Sequence, residues 1–242
     1  MLNEIIVVSQ PEAAVIALNE IQKIDPGARG QRLSKGMQLV TTSLDCEEIW
    51  ASKPIFIQQL GKQGAGGKKN KEPEISRAEF KLQEALACFD IKITDPNKKS
   101  ALDLGAAPGG WTKVLLDKGM QVTAVDPAEL SDKINRHPNL THAREAVQKF
   151  LRQSSNRSSD SNKYDILLND MRMDAKESCQ IMQETTPILK PGAQAIMTLK
   201  LQHSHWYKQT KRALSLLEKS YTVQGARQLP SNKSEVTIHL ST

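Results

Sequence analysis

The sequence predicts an α/β fold in which a mostly parallel sheet of seven strands is covered by helices on both faces. From residue 76 onward, segments with the apolar period of an amphipathic helix alternate with short apolar segments typical of buried strands. This alternation is expected of a doubly wound parallel sheet. The last two strand-like segments are joined by a short polar connection, which predicts an antiparallel hairpin at the C-terminal end.

The elements of this main body follow from apolar periodicity. Helices are predicted at residues 79–89, 110–119, 174–189 and 204–219. Strands are predicted at residues 101–104, 122–125, 140–143, 166–169, 193–199, 221–227 and 235–240. The tripeptide at residues 190–192, Lys-Pro-Gly, is expected to end the third helix, because proline does not continue a helix and glycine is common just after one.

Two parts joined by a linker are predicted. Residues 61–74 combine glycines with lysines and contain no large apolar side chain, which is typical of a flexible basic linker. Residues 1–60 are expected to form a small N-terminal α+β module. Its predicted elements are a helix at 11–24 and strands at 5–8, 38–42 and 55–59. A module of this size buries little apolar surface alone, so we expect it to dock on the main body, residues 75–242, or on a partner.

The composition is that of a globular chain with a surplus of basic residues. Of the 242 residues, 38% are hydrophobic, and the formal net charge is +6 at pH 7. No run of about 18 apolar residues predicts a membrane span, and the first residues lack the basic segment of a secretory signal. A cytoplasmic protein is therefore expected, with a monomer as the default state. The positive charge suits a polyanionic partner.

Residues 103–111, Asp-Leu-Gly-Ala-Ala-Pro-Gly-Gly-Trp, join a predicted strand to a predicted helix. Glycines and small residues let the backbone approach a bulky polar cofactor, because no large side chain intervenes. The free N–H groups of the following helix favour a negatively charged group such as a carboxylate. One strand later, Asp126 is placed to accept hydrogen bonds from both hydroxyls of a ribose. The pattern predicts a nucleoside-containing cofactor, and its spacing departs from the Gly-x-Gly-x-x-Gly of nicotinamide and flavin sites.

Five separated motifs of this chain resemble, in the same order, those of the FtsJ-type ribose 2′-O-methyltransferases. They lie at residues 76–82, 103–111, 169–171, 199–201 and 234–237. Within the family the sequence most resembles the RlmM-type enzymes of large-subunit ribosomal RNA, through an Ala-Arg-Gln-Leu run shortly before Glu-Val-Thr. The resemblance covers residues 75–241. It implies a Rossmann-like class I fold, S-adenosyl-L-methionine as cofactor and RNA, specifically ribosomal RNA, as partner.

The resemblance also implies site residues. Positions that contact the cofactor fall on Ser76, Asp103, Gly105, Ala107, Pro108, Gly109, Gly110, Trp111, Asp126 and Asp170. A catalytic Lys-Asp-Lys-Glu tetrad falls on Lys81, Asp170, Lys200 and Glu235. Each such charge, taken alone, is more often a solvated surface group. Two of them, however, end predicted strands, and the carboxyl ends of parallel strands share the edge where α/β sheets place their sites.

The implied chemistry explains these residue types. The methyl group of the cofactor lies on a cationic sulfonium and is already activated, so the protein must align a ribose hydroxyl and remove its proton, without a metal ion. We expect Lys200 to accept this proton, Asp170 and Lys81 to orient it and the ribose, and Glu235 to anchor the array. A second lysine and partial burial favour the neutral form that a base requires, whereas the two carboxylates favour the charged form.

Two departures from the family pattern leave other functions open. Where relatives carry an acidic residue that can contact the adenine amino group, this sequence places Ala146, with Glu145 as a candidate substitute. The residues after Asp170 also differ at positions expected to touch the substrate. The alternatives are a methyltransferase of the same fold that acts on a small molecule or protein, and an RNA-binding relative that has lost catalysis.

Basic side chains in and near the predicted linker are candidates for contacts with RNA phosphates. They are Lys62, Lys68, Lys69, Lys71, Arg77, Lys98 and Lys99. The alternative interpretation is a lysine-rich segment that only keeps the chain soluble. Aromatic residues make up 4% of the chain, so extensive stacking on bases is not expected.

Overall fold

Two sheets organise the computed structural model, which describes residues 2–61, 73–155, 163–202 and 205–242. A four-stranded sheet lies in the N-terminal part of the chain and a seven-stranded sheet in the rest. No helix in the described ranges is both long and apolar enough to cross a membrane. Across the same ranges, no group of three or more histidine, cysteine, aspartate or glutamate side chains is arranged to hold a metal ion.

The N-terminal part is an antiparallel sheet with two helices. Its strands are β1 (Asn3–Val8), β2 (Arg29–Ser34), β3 (Met37–Thr42) and β4 (Gln59–Gly61), in the order β2-β3-β1-β4. The helices are α1 (Ala14–Gln22) and α2 (Cys46–Ala51). Their apolar side chains, including Ile21 and Ile49, are buried against Ile5, Val7 and Val40 of the sheet in a small core of its own. The amphipathic pattern of α1 therefore has the expected consequence, which is one buried face.

Two elements here go beyond the prediction, and one differs from it. The sequence does not predict β2, because all its residues are exposed and it has no apolar alternation. It also does not predict α2, a short helix whose capping box links Asp45 and Glu48. Residues 55–58 are predicted as a strand but are irregular, and the strand begins only at Gln59. Their apolar pattern has another cause: Phe56 is buried in the main core and Ile57 in the N-terminal core.

The N-terminal part packs directly on the main body. Phe56 stacks on Trp206, with ring centroids 6.4 Å apart. The backbone N–H of Gln228 donates to the carbonyl oxygen of Ile55 at 2.6 Å. Of the two expected docking surfaces for the N-terminal part, the main body and a partner, the structure shows contacts with the main body.

The seven-stranded sheet is mostly parallel. Its strands are β5 (Ser100–Leu104), β6 (Gln121–Val125), β7 (Leu140–Ala143), β8 (Tyr164–Asn169), β9 (Leu189–Lys200), β10 (Thr222–Arg227) and β11 (Glu235–Ser241). Their order is β10-β11-β9-β8-β5-β6-β7, and β11 is antiparallel to both of its neighbours. The chain proceeds outward from β5 in one direction and from β8 in the other, so a crevice opens at the carboxyl ends of these two strands.

Helices cover both faces of this sheet. They are α3 (Ala78–Cys88), α4 (Gly110–Leu116), α5 (Val147–Ser155), α6 (Ala175–Glu184) and α7 (Trp206–Leu217). Helices α3 and α4 bury their apolar side chains with Leu168 and Ile196 on one face of the sheet. Helices α5, α6 and α7 pack with Leu167 and Met197 on the other face. Successive strand residues therefore point to opposite layers, as the pleat requires.

The largest boundary differences from the prediction in the main body lie at the end of α6 and the start of β9. The sequence predicts one helix over residues 174–189, whereas α6 ends at Glu184 and a 3₁₀ turn, Thr186–Ile188, follows. Lys190-Pro191-Gly192 therefore does not end a helix but lies within β9, where the pairing with β8 shifts in register. Between the pairs Tyr164–Leu189 and Ile166–Gln194, β9 contains three more residues than β8, and extra residues in one strand form a bulge.

Candidate active site

A cavity of about 650 Å³ opens at the carboxyl edge of the sheet, next to the ends of β5, β6, β8 and β9. Ligand pockets usually have volumes of about 300–1,000 Å³, so a nucleoside-sized molecule fits this space. Nine of the predicted site residues line it: Ser76, Lys81, Gly105, Ala107, Pro108, Asp126, Asp170, Lys200 and Glu235. Residues far apart in sequence thus meet in one cavity.

The strand-to-helix turn between β5 and α4 depends on its glycines. Gly109 has φ of 105°, in the left-handed region, and caps the first turn of α4. At Gly110, an added Cβ would lie 2.3 Å from Ser76 Oγ and 3.3 Å from the Glu79 backbone nitrogen. The absence of a side chain at Gly110 therefore allows the start of α3 to approach the turn.

Ser76 presents a buried hydroxyl oxygen that has no hydrogen-bond partner in the structure. Leaving a buried polar group unsatisfied costs about 1–3 kcal/mol, so a ligand that bonds this hydroxyl would recover that energy. The Ser76 segment is held in place by the Glu79 carboxylate, which accepts from the Ile75 and Ser76 backbone N–H groups at 2.6 and 3.0 Å. Burial raises the pKa of the Glu79 carboxyl. The N–H donors lower it by more than burial raises it, so the net pKa lies below its usual range.

Asp126 connects the end of β6 to the turn. Its Oδ2 atom accepts from the Ala107 backbone N–H at 3.1 Å, and its Oδ1 atom accepts from that of Ala128 at 2.8 Å. A carboxylate has about four acceptor sites, so two N–H donors leave capacity for two ribose hydroxyls. The orphaned Ser76 hydroxyl and this carboxylate together fit a nucleoside cofactor.

Four predicted cofactor positions, Asp103, Gly109, Gly110 and Trp111, do not line the cavity. Trp111 is buried, and its Nε1–H donates to the carbonyl oxygen of Ala78 at 2.8 Å, which ties α4 to α3. Asp103 is also buried and accepts a hydrogen bond from the Thr112 hydroxyl at 2.6 Å. These residues support the turn from its buried side. Their direct contact with the cofactor stays a prediction.

Asp103 makes the stability of the protein depend on pH. Burial raises the pKa of its carboxyl to about 7, opposed by the Thr112 hydroxyl and assisted by the negative charge of Asp170. A raised acid pKa contributes stability that is present below the unfolded pKa and is lost as the pH rises through the folded value. Asp103→Asn removes this loss while keeping an oxygen that can accept from Thr112.

We expect the free energy of unfolding of Asp103→Asn to rise relative to the parent protein as the pH is raised from about 4 to about 8. Denaturant unfolding of both proteins at several pH values checks this expectation. A difference between the two proteins that stays constant over this interval would contradict it.

The four tetrad residues form a closed arrangement of alternating charge. Lys81 Nζ lies 2.7 Å from Glu235 Oε2 and 3.4 Å from Asp170 Oδ2. Lys200 Nζ lies 2.5 Å from Asp170 Oδ1 and 3.2 Å from Glu235 Oε1. All four side chains are between 14% and 19% exposed, so they are shielded from solvent but still open to the cavity. Each lysine is shared between the two carboxylates.

The fold explains how these charges meet. Lys200 ends β9, and Glu235 begins β11 directly opposite it in the antiparallel ladder, so their side chains are neighbours on one face. Asp170 follows the last residue of β8, and Lys81 lies in the first turns of α3, which covers that same face.

Thr198 belongs to this array but is not predicted from the sequence. Its hydroxyl donates to Asp170 Oδ1 and accepts from Lys200 Nζ at 2.9 Å. Thr198 is fully buried and lies two residues before Lys200 in β9, so both side chains point to the same face. That period-two spacing is the signal from which it could have been found.

The charges of the array stabilise one another. Burial raises the pKa of Asp170, but Lys200 and Lys81 lower it more strongly, so the group stays ionised. Burial lowers the pKa of Lys81, but Asp170 and Glu235 raise it more strongly, to a net value above its usual range. At neutral pH Lys81 is therefore a fixed ammonium ion beside the cavity.

Glu235 is held by a residue that the sequence does not single out. Asn232 is buried, and its Nδ2 atom lies 3.4 Å from Glu235 Oε2. Its Oδ1 atom accepts from the Leu229 backbone N–H at 2.8 Å and from the Thr237 hydroxyl at 3.0 Å. Gln10 of the N-terminal part donates to the Asn232 carbonyl oxygen at 2.8 Å. The N-terminal part thus contacts the loop that positions a tetrad residue.

Ala146 lines the cavity, as does Gln148 at the start of α5. Glu145 does not line it and instead forms an ion pair with Lys149 at 3.3 Å. Of the three residues 146–148 that line this wall, only Gln148 is polar, and its carboxamide has both a donor and an acceptor.

The basic candidates for RNA contact are dispersed. Lys62, Lys68, Lys69 and Lys71 lie outside the described residues. Arg77 is exposed and adjoins Ser76 at the cavity. Lys98 and Lys99 precede the first residue of β5, which places them at the opposite edge of the sheet from the cavity.

Residues 75–222 of the chain match the model of the FtsJ-like methyltransferase family. The chain belongs to this family. The predicted family and the predicted fold class are thereby confirmed. The matched region includes the glycine-rich turn, Asp126 and three of the four tetrad residues, whereas Glu235 follows it.

Curated relatives of this FtsJ-like chain include two proteins named Ribosomal RNA large subunit methyltransferase M. The one from Pasteurella multocida is 31% identical over 178 residues, which cover 69% of this chain and 46% of the relative. The one from Laribacter hongkongensis is 32% identical over 179 residues, which cover 69% of this chain and 47% of the relative. The chain therefore spans about half the length of these relatives.

Solved structures share the fold. A putative hemolysin from Lactococcus lactis has a TM-score of 0.59 at 20% identity, over 71% of this chain and 89% of that chain. The fibrillarin pre-rRNA processing protein of Methanococcus jannaschii has a TM-score of 0.54 at 16% identity, over 88% of this chain and 97% of that chain. At these identities the likeness concerns the fold alone.

Proposed function

We propose that this FtsJ-like chain transfers a methyl group from S-adenosyl-L-methionine to a ribose 2′-hydroxyl of RNA, with ribosomal RNA as the substrate. One observation carries the proposal. A carboxylate suited to a nucleoside, Asp126, and a lysine–carboxylate array suited to handling a proton line the same cavity. The methyl donor and the ribose hydroxyl that accepts the methyl group can therefore bind side by side in this cavity.

The cofactor would be held at the turn between β5 and α4. Asp126 accepts from the ribose hydroxyls, and the unpaired Ser76 hydroxyl is available to the polar end of the molecule. Ala107 and Pro108 supply backbone walls without large side chains. S-adenosyl-L-methionine supplies a methyl group that its sulfonium already activates for transfer.

Lys200 is the proton acceptor in this proposal. Lys81 has a raised pKa and stays charged, so it orients the ribose electrostatically but is a poor base. Lys200 contacts Asp170, Thr198 and Glu235, which fix the direction of its Nζ atom. In its neutral form, that atom takes the hydroxyl proton while the oxygen is aligned with the methyl group.

Ribosomal RNA is proposed as the substrate because of the names of the curated relatives, which refer to large-subunit ribosomal RNA methylation. The basic net charge of +6 supports a polyanionic substrate. If ribosomal RNA is the substrate, the protein is located in the cytoplasm, where ribosomal RNA is found.

The test is methyl transfer in a defined mixture. The purified protein is incubated with tritiated S-adenosyl-L-methionine and ribosomal RNA, either free or in large subunits, and ribose methylation is mapped by resistance to alkaline cleavage. We expect label at a ribose in at least one of the two forms of RNA. Label on protein or on a small molecule, or none in either form of RNA, would contradict the proposal.

A further inference from the structure

A groove of about 550 Å³ lies between α6 and α7, outside the candidate active site. Its walls carry three exposed basic side chains, Lys176, Arg212 and Lys219, and a single carboxylate, Asp174. Among the described residues, none of the three basic side chains has an ion-pair partner. We call this feature the α6–α7 groove.

At two points of the chain, residues that line the α6–α7 groove directly follow or nearly follow residues that line the active-site cavity. Asp174 directly follows Met173, which lines the cavity, and Gln202 lies two residues after Lys200. The end of the groove at Asp174, Lys176 and Gln202 therefore lies next to the cavity, where nucleotides beside the methylated ribose would pass, whereas Lys219, just before β10, lies at the far end.

The one carboxylate that lines the α6–α7 groove already accepts hydrogen bonds from the backbone of α6. Asp174 is the N-cap of α6, and its Oδ1 atom accepts from the Lys176 backbone N–H at 2.8 Å and from that of Glu177 at 3.4 Å. It therefore offsets the positive field of the groove only in part.

The groove is built on packed helices rather than on a loose surface. Gln183 of α6 donates to the Leu216 carbonyl oxygen of α7 at 2.7 Å. Gln202 and Gln209 exchange two hydrogen bonds, at 3.0 and 2.8 Å, which fix the start of α7. The basic side chains are thus presented from a preformed backbone.

A second lysine-rich cavity, of about 380 Å³ at the other edge of the sheet, differs in its pairing. There, two of the three lysines are paired, Lys92 with Asp90 at 3.3 Å and Lys190 with Asp165 at 2.7 Å. Phosphates would have to compete with those carboxylates, whereas the α6–α7 groove offers unpaired cations.

We propose that the α6–α7 groove binds phosphates of the RNA strand next to the ribose that is methylated. The inference rests on the proposed function, because it names where the substrate of that reaction is held. Phosphate contacts position a strand without reading its sequence, and each neutralised phosphate releases counterions. Affinity should therefore fall as salt is raised, with a slope set by the number of contacts.

The test compares two variants of equal charge. Lys176→Glu/Arg212→Glu reverses two groove charges, one in the first turn of α6 and one in α7. Lys118→Glu/Arg136→Glu reverses two exposed charges just before β6 and β7, at the edge of the sheet away from the cavity. The probe is a fluorescent single-stranded RNA of mixed sequence, and its affinity is measured by anisotropy at several salt concentrations.

We expect the groove variant to bind this RNA at least about tenfold more weakly and with a salt slope smaller by about 1.4, since single strands contribute about 0.7 per phosphate. The control variant should stay within about twofold of the parent, because charges far from the bound strand are screened. Equal weakening in both variants, or none in the groove variant, would overturn the proposal. Lys176→Gln/Arg212→Gln provides a milder form that adds no negative charge, and its affinity should lie between those of the parent and the groove variant.

Methyl transfer separates this inference from the proposed function. If RNA affinity depends on the α6–α7 groove but the parent protein methylates no RNA, the groove is confirmed as an RNA-binding surface and the proposed function is wrong. If the parent methylates ribosomal RNA and the groove variant does so at the same RNA concentrations, the proposed function is confirmed and the inference about the groove is wrong. S-adenosyl-L-methionine affinity, measured by calorimetry, should be unchanged in both variants.

Discussion

Replacing Lys200 by arginine is expected to abolish methyl transfer while the fold and cofactor binding are retained. Arginine keeps a positive charge for Asp170 and Glu235, but it does not give up its proton in proteins and cannot act as a base. General base catalysis contributes about 10²–10⁴-fold, so a loss of that order is expected in Lys200→Arg. Single-turnover transfer of a tritiated methyl group to ribosomal RNA measures it.

Lys81→Arg is the matched control. Because Asp170 and Glu235 hold Lys81 in its charged form, arginine can replace much of its electrostatic role. We expect Lys81→Arg to retain more activity than Lys200→Arg. The reverse order would exchange the roles of the two lysines, and near-parental transfer by a folded Lys200→Ala would exclude Lys200 as the acceptor.

Replacing Asn232 by alanine is expected to lower both stability and turnover. The change removes the acceptor of the Leu229 N–H and the Thr237 hydroxyl, and each buried group left unsatisfied costs about 1–3 kcal/mol. It also removes the side chain that contacts Glu235. Denaturant unfolding and a separate determination of kcat and KM measure the two effects, and cofactor affinity should not change.

Asn232→Asp distinguishes positioning from stability. Aspartate keeps an oxygen for Leu229 and Thr237, but it places a carboxylate next to that of Glu235, where like charges repel. We expect kcat to fall in Asn232→Asp with a smaller loss of stability than in Asn232→Ala. Parental kcat in a folded Asn232→Asp variant would mean that Asn232 supports the loop only structurally.

The main body could be predicted largely from local patterns. The central strands are short apolar runs that are buried on both faces, and the turn after β5 contains the glycines that its conformation requires. Helix α5 is not predicted, although Val147, Phe150 and Leu151 are spaced for one buried face.

Other elements could not be predicted because their patterns have a non-local cause. Strand β2 is exposed at every residue, so it has no apolar alternation, and its pairing with β3 identifies it. Residues 55–58 alternate like a strand because Phe56 and Ile57 are buried in different cores. Apolar periodicity reports burial and does not report which surface covers a residue.

The candidate site divides in the same way. The resemblance names the four tetrad positions, but their geometry depends on the antiparallel pairing of β9 with β11 and on the packing of α3 against the sheet. Thr198 could have been found from its period-two spacing to Lys200, whereas Asn232 joins the array through a contact that no local pattern indicates. The roles proposed for the tetrad and for the cofactor positions stay predictions until the variants are measured.

By itself, the sequence determined the α/β class, the family and the residue types available for chemistry, because periodicity and short motifs are local properties of the chain. Only the tertiary structure decided which charges share a cavity, that Lys81 is held as a fixed cation, and which basic side chains of the described residues remain unpaired. The physical reason is that burial and Coulomb interactions depend on distances in space, and these are set when separate strands and helices pack together.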